Sequence, residues 1–328
     1  MEIINLKFGD IKEPLPKKII ERFSKEAFKD VTKYPENYSI LVERLAKRHG
    51  INPENIVLVN GVDEGIELIS RCFGENILFF TPTYYEFQDA PKRNDLKFET
   101  INCFDGKEYR LKYKDDDIRN RSLIFLCSPN NPFGLLTKKE ITDIAKKTKG
   151  IVAVDETYID FDGESVLNEF ENNPNLLVLR SFSKGYSLAG LRIGYIVGDK
   201  NLIDVIKKKK LFCNVTSVSV YAAMINLDEE AYFKNLIKRI KEGKNKFEDF
   251  LKAKNFNIIH TNNNNIMIKF EYVKDANKLC DFLKNNGIIV NQANGMSTCG
   301  LDDTFIRFTY GTDEQMKKVR EVFEKYRF

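Results

Sequence analysis

Ile151-Val152-Ala153-Val154-Asp155 and Leu176-Leu177-Val178-Leu179-Arg180-Ser181-Phe182-Ser183-Lys184 are the two stretches on which the fold of this chain turns. Each is an apolar run too short for a helix, and each ends abruptly in polar residues. Such runs read as strands buried on both faces of a sheet. Working outward, Ile56 to Val59, Ile77 to Phe80, Leu123 to Cys127 and Ile193 to Val197 have the same texture. Helical patterns alternate with them. Asp63 to Phe73 sets Ile66, Ile69 and Phe73 on one face, Pro82 to Ala90 reads as a turn into a helix, and Lys138 to Lys147 as a helix. Strands alternating with helices predict an α/β fold, a mostly parallel sheet covered by helices on both faces.

From about Asp199 the pattern changes. Charged helices are predicted at Asn201 to Phe212 and Glu229 to Lys254. Strands at Ile266 to Phe270 and Phe305 to Tyr310 flank a helix at Ala276 to Asn285, which indicates a smaller α+β domain. The expected division is a large domain over residues 31–215 and a small one made of 1–30 with 216–328. The run Asn262 to Asn265 reads as a turn, because Asn tolerates left-handed backbone.

Composition narrows the function. The 328 residues carry 52 basic and 48 acidic side chains, net +4, with the two signs interleaved, so no nucleic-acid footprint is visible. Lys207 to Lys210 reads as a solvated helix face. No stretch reaches the roughly 18 apolar residues of a membrane span. Met1 to Lys12 lacks the pattern of a signal peptide. The six cysteines include no CxxC pair and no metal-ligand spacing, so no metal is expected and a reduced cytoplasmic protein is. The two histidines, His49 and His260, are read as structural or surface residues.

Chemistry-bearing residues gather at strand ends, where open α/β sheets bind ligands. Asp155 is either a helix cap or a buried carboxylate that needs a cationic partner. Arg180 to Lys184 leads into Leu191-Arg192-Ile193-Gly194; hydroxyls, an amine and a guanidinium together suit an anion, though a flexible basic loop would read the same way. Asn60-Gly61-Val62-Asp63 turns from strand to helix and offers free N–H groups to a phosphate. Ser128-Pro129-Asn130-Asn131-Pro132 fixes the backbone so that Asn131 presents its amide, or is an ordinary proline turn. Tyr84, in Thr81-Pro82-Thr83-Tyr84, is either core or an aromatic platform. Together these are the parts needed to hold a phosphorylated pyridine aldehyde.

With those residues in view, the chain resembles the fold-type I aminotransferases that depend on pyridoxal 5'-phosphate (PLP), most closely the histidinol-phosphate aminotransferase group. The matching segments are Tyr34-Pro35-Glu36, Gly61 to Leu68, Pro82-Thr83-Tyr84, Cys127 to Pro132, Asp155-Glu156-Thr157-Tyr158, Arg180 to Lys184, Gly190 to Tyr195 and Arg307 to Thr312. The resemblance implies a Schiff-base link between PLP and Lys184, which would also shuttle the substrate's proton, with Arg192 as a nearby cation favouring the neutral amine. It implies that Asp155 pairs with the ring N–H, that Asn131 and Tyr158 hold the phenolic oxygen, and that Tyr84 stacks on the ring. Ser181, Ser183, Arg192 and the Val62 and Asp63 amides would hold the phosphate. Tyr34 would reach the neighbouring subunit's phosphate in a homodimer, and Arg307 would grip the substrate carboxylate through a two-pronged contact, with Asn131 and Tyr84 beside it. The Asn131–Pro132 peptide is a candidate for cis. The implied reaction moves an amino group from histidinol phosphate or an aromatic amino acid to a 2-oxo acid such as 2-oxoglutarate.

Two departures concern the substrate. The family's pattern of Gly-Ile-Ile-x-Arg, whose arginine binds substrate phosphate, reads here Gly287-Ile288-Ile289-Val290-Asn291. An amide does not replace a forked, charge-assisted contact. The segment Phe8-Gly9-Asp10-Ile11-Lys12-Glu13-Pro14 is likewise altered. Cys299 to Arg307 is also similar to threonine-phosphate decarboxylase, which leaves that PLP-dependent lyase as the alternative.

Overall fold

The computed structural model describes residues 3–292 and 298–327. Its central sheet has seven strands: β1 (Ile56–Val59), β2 (Asn76–Thr81), β3 (Lys97–Asn102), β4 (Leu123–Cys127), β5 (Ile151–Asp155), β6 (Leu176–Ser181) and β7 (Gly194–Gly198), in the spatial order β1-β7-β6-β5-β4-β2-β3. Strands β3, β2, β4, β5 and β6 run parallel, while β7 is antiparallel to both β6 and β1.

The apolar runs fill both faces by strict alternation. Leu78, Phe80, Ile124, Leu126, Val152, Val154, Leu176 and Val178 join one core. Ile77, Phe79, Leu123, Phe125, Ala153, Leu177 and Leu179 join the other. Helix α1 (Tyr38–His49) covers the first face with Leu41, Leu45 and Ala46. Helices α2 (Gly61–Phe73) and α3 (Glu86–Arg93) cover the second with Val62, Ile66, Ile69, Phe87 and Ala90. Helix α4 (Lys138–Lys147) returns to the first face with Ile141 and Ile144, and α5 (Lys200–Lys209) to the second with Ile203 and Ile206. The start of α4 is fixed by a capping box between Thr137 and Glu140.

Helix α6 (Ser217–Asp228) packs mainly on the first core through Val220, Ala222, Ala223 and Met224, and its Ile225 reaches a third core. That core lies in the C-terminal part, around helices α7 (Glu230–Ala253), α8 (Val273–Asn285) and α9 (Asp313–Lys325) and a four-stranded sheet. That sheet orders β8 (Ile258–Ile259), β9 (Asn265–Lys269), β11 (Phe305–Thr309) and β10 (Asn291–Gln292), all antiparallel. The beginning of the chain belongs with it: Ile4–Asn5 pairs in parallel with Ile288–Ile289, and Ile4, Leu6 and Ile19 enter this core.

Several expectations are corrected. The turn expected to lead from Pro82 into a helix holds a short strand, Thr83–Tyr84, paired with Thr298–Cys299, before α3 begins at Glu86. The helix expected to reach Phe212 stops at Lys209, leaving Leu211 and Phe212 exposed. Helix α6 went unread because it is apolar almost all round, so no amphipathic stripe marks it. The asparagine run is more than a turn. Asn263, Asn264 and Asn265 are buried, and Asn265 opens β9.

Candidate active site

A cavity of about 820 Å³ opens at the carboxyl ends of β4, β5 and β6, the place a parallel sheet provides for a ligand. Its lining includes Val62, Asp63, Tyr84, Asn131, Asp155, Tyr158, Ser181, Ser183, Lys184, Arg192 and Arg307. The sequence reading scattered these over 246 positions, and the fold brings them together. Tyr34 lies apart from them, 78% exposed, its ring 6.2 Å from that of Phe212.

Asp155 ends β5 on the α2 side of the sheet. The Thr157 amide donates to its Oδ1 at 2.8 Å, and Cys127 Sγ lies 4.0 Å from Oδ2. Burial pushes its carboxyl up to about 6 despite the bonds from Thr157, and Asp63 and Glu156 push in the same direction. Among the described residues no cationic side chain pairs with it. Burial also raises the Cys127 thiol well above its ordinary value.

At the turn from β1 into α2, Arg192 Nη2 donates to Asp63 Oδ2 at 2.7 Å, and the Tyr84 hydroxyl donates to Asp63 Oδ1 at 2.7 Å. Burial, and then Asp63, raise the Tyr84 phenol. Gly61 has φ +75°, and a Cβ there would stand 2.4 Å from Arg192 Nη2. Glycine is therefore required twice over at the first residue of α2, by its backbone and by the guanidinium laid across it. The first amides of α2 face the cavity through Val62 and Asp63.

The turn after β4 contains the cis peptides Ser128–Pro129 and Asn131–Pro132, and Thr81–Pro82 is cis as well. Asn130 Nδ2 donates to Pro82 O at 2.8 Å and Phe133 O at 2.9 Å. Asn263 Nδ2 donates to Asn130 O at 2.9 Å and Pro132 O at 3.0 Å, which ties the turn to the C-terminal sheet. Asn131 is thereby held toward the cavity, where its Oδ1 accepts from Arg307 Nη1 at 3.0 Å. Arg307, 4% exposed, donates otherwise, among the described residues, to Lys7 O at 3.4 Å, and burial lowers its pKa. A buried guanidinium with neutral partners is a ready anchor for an incoming anion.

The beginning of the chain crosses the cavity. Lys184 Nζ donates to Gly9 O at 2.8 Å, Asn264 Nδ2 to the same oxygen at 3.1 Å, and Asn291 Nδ2 to Lys7 O at 2.8 Å. Phe8, Gly9 and Asp10 line the cavity. A Cβ on Gly9 would meet Tyr158 Oη at 2.7 Å and Lys184 Nζ at 3.3 Å. Sequence reasoning missed Gly9 and Asn263 as parts of the site. Neither sits at a central strand end, and only a lone glycine in a polar segment and the asparagine run marked them. Asn291, at the position of the expected arginine, is spent on the chain's own backbone. Among the described residues, no group of His, Cys, Asp and Glu is arranged to hold a metal.

The fold and cavity define an α/β enzyme with an amine, a buried unpaired carboxylate, and an anion cradle made of a helix N-terminus, two serines and an arginine. That set fits PLP: the carboxylate lacks the cation that a protonated pyridine would supply, and the cradle suits its phosphate. The model of the aminotransferase class I and II family matches residues 1–323, and the chain belongs to that family. It is a PLP-dependent aminotransferase. It is 32% identical over 293 residues to a histidinol-phosphate aminotransferase of Bacteroides fragilis, covering 86% of this chain and 83% of that one. Two solved structures share the fold. The histidinol-phosphate aminotransferase of Sinorhizobium meliloti, in complex with pyridoxal-5'-phosphate, gives a TM-score of 0.85 at 19% identity, covering 98% of this chain and 92% of that one. The L-threonine-O-3-phosphate decarboxylase of Porphyromonas gingivalis gives 0.83 at 22% identity, covering 98% of each.

Proposed function

We propose that this aminotransferase takes its amino group from histidinol phosphate, with an aromatic amino acid as the competing donor, and passes it to a 2-oxo acid such as 2-oxoglutarate. One observation carries this reading: Lys184 and the guanidinium of Arg307, which meets no carboxylate among the described residues, face one cavity whose floor is Asp155. The curated relative's activity supports the choice of donor.

When bound, PLP supplies an aldehyde that captures amines and a protonated ring that stabilises negative charge developing at the substrate's α-carbon. Lys184 holds the cofactor covalently and then moves the proton from that carbon. Asp155 keeps the ring N–H in place. Tyr158 and Asn131 hydrogen-bond the phenolic oxygen, and Tyr84 stacks against the ring. Ser181, Ser183, Arg192 and the amides of Val62 and Asp63 hold the phosphate. Arg307 grips the substrate's anionic group, with Asn131 and Tyr84 beside it. Gly9 O accepts from Lys184 Nζ and Lys7 O from Arg307 Nη2, which sets the first residues beside both groups.

The working unit is proposed to be a cytoplasmic homodimer with Tyr34 completing the neighbour's phosphate site; its exposure in the single chain fits that role. Residues 31–215 are proposed as the large domain, and 1–30 with 216–328 as the small one. No helix among the described residues is long and apolar enough to cross a membrane.

The deciding experiment incubates the enzyme with 2-oxoglutarate and, separately, histidinol phosphate, phenylalanine or threonine phosphate. Glutamate formed from histidinol phosphate at the highest kcat/KM supports the proposal. Phenylalanine as the better donor replaces histidinol phosphate. Carbon dioxide released from threonine phosphate without glutamate overturns transamination in favour of decarboxylation.

A further inference from the structure

Behind the cavity, on the opposite face of the same sheet, lies a buried polar cluster that the chemistry above does not use. Side chains alternate between faces along a strand. Val152, Val154, Leu176 and Val178 face the α1 side, while Ala153, Leu177 and Leu179 face the α2 side. The same alternation carries Asp155 and Ser181 to the cavity and their neighbours Glu156 and Arg180 to the back.

There Arg180 Nη1 donates to Glu156 Oε2 at 3.0 Å, with the Glu156 side chain 1% exposed. Glu156 also accepts from Ser165 Oγ and the Val166 amide, each at 2.7 Å, and its own amide donates to Leu179 O at 2.9 Å. Arg180 lies opposite Tyr195 on β7, and the Tyr195 hydroxyl is hydrogen-bonded to His49 at 2.8 Å. The ends of β5 and β6 are thus joined twice, once by backbone and once by an ion pair.

A buried ion pair is a poor means to stability alone, because desolvating both charges offsets their attraction. Its placement is more specific than packing requires. Glu156 follows the residue at the cavity floor, and Arg180 precedes Ser181 and the segment ending in Lys184. We propose that the Glu156–Arg180 pair is a positioning device: it locks the ends of β5 and β6 together from behind, so that Asp155 and the Ser181–Lys184 segment meet the same bound PLP. This rests on the assignment of those residues to the cofactor. Arg180 also neutralises a carboxylate that would otherwise stand as a like charge beside Asp155. Among the described residues, Asp63 from α2, Cys127 from β4, Tyr84 and Thr157 also act on Asp155.

The test uses Glu156→Gln, Arg180→Met, Arg180→Lys and the Glu156→Gln/Arg180→Met double variant. The readouts are the PLP dissociation constant of the resolved apoenzyme, the visible circular dichroism of bound PLP, and apoenzyme melting. Each uncharged single variant is expected to weaken PLP binding by about tenfold or more, the scale on which supporting partners tune a bound group. The visible band should change, the double variant should be no worse than the singles, and Arg180→Lys should recover part of the loss. Glu248→Gln is the control. It breaks the buried Lys244–Glu248 pair, 3.1 Å apart near the C-terminal core, and should lower melting without moving either PLP readout. The proposal is overturned if Glu156→Gln and Arg180→Met lower melting alone and leave affinity and the visible band as in the native enzyme; should Arg180→Met not fold, Glu156→Gln decides. A borohydride-reducible PLP linkage that survives Lys184→Ala would instead show that the underlying site assignment is wrong.

Discussion

Asp155 shows how one side chain's surroundings set a measurable pH dependence. Burial holds its folded-state pKa at about 6, above the ordinary 3.8, so folding favours the neutral acid. In the cofactor-free protein, the stability this lends is present at low pH and lost as pH rises from about 4 through 6. Two pKa units correspond to about 3 kcal/mol. A protonated ring reverses the preference, because it needs the carboxylate. PLP affinity of the apoenzyme should therefore fall as pH drops below about 6, by about tenfold per unit at the limit of one linked proton. Asp155→Asn should remove the part of this slope that Asp155 contributes and leave turnover nearly absent. Titrating both proteins with PLP between pH 5 and 8 checks this, and equal slopes would sink it. Gly9 gives a steric counterpart. In Gly9→Ala the new methyl would press on Tyr158 Oη and Lys184 Nζ. Turnover should drop at least tenfold, the scale of a slight misplacement of reacting groups, while melting changes little because the segment is near the surface. Unchanged kcat in Gly9→Ala would mean that the first residues stand clear of the working site.

At the scale of elements, the turn after β4 shows how far sequence reading carries and where it stops. The strand, its end and the candidacy of Asn131 were legible, because a short apolar run followed by prolines has one economical reading in an α/β chain. The brace was not legible. Asn263 reaches that turn from more than a hundred residues away, and nothing local distinguishes an asparagine that pairs with a distant carbonyl from one that makes a turn. Helix α6 was illegible for a different reason: a helix buried all round loses the period that identifies it. Asn263→Ala would leave the carbonyls of Asn130 and Pro132 short of a buried donor, at a cost of roughly 2 kcal/mol or more. Chemical denaturation should show that loss, and KM should rise more than kcat falls, because Asn131 supports Arg307. A denaturation midpoint equal to that of the native protein would remove Asn263 from the account.

The whole molecule poses the remaining question, since Tyr34 was read as part of a site that its own chain does not complete. Several residues that line the cavity were legible in the sequence, because Asn131, Asp155, Ser181 and Lys184 end or follow recognisable strands. A residue that acts across a subunit boundary has no such marker, and here only the family resemblance singled it out. In the single chain Tyr34 is exposed beside Phe212, with Leu211 and Val31 also exposed in neighbouring segments, an apolar group that a second copy would cover. If each cavity takes Lys184 from one chain and Tyr34 from the other, two inactive variants should complement. Lys184→Ala lacks the amine but carries an intact Tyr34; Tyr34→Ala is the reverse. After equal amounts are mixed, dissociated and reassociated, about half of the dimers are mixed, and one of the two sites in each is intact. Activity should return to about a quarter of the native value per site. Mixing must also produce no gain when reassociation is prevented. Efficient exchange of subunits with no recovered activity would mean that each chain builds its site alone, and Tyr34 would then belong to the surface rather than to the cofactor.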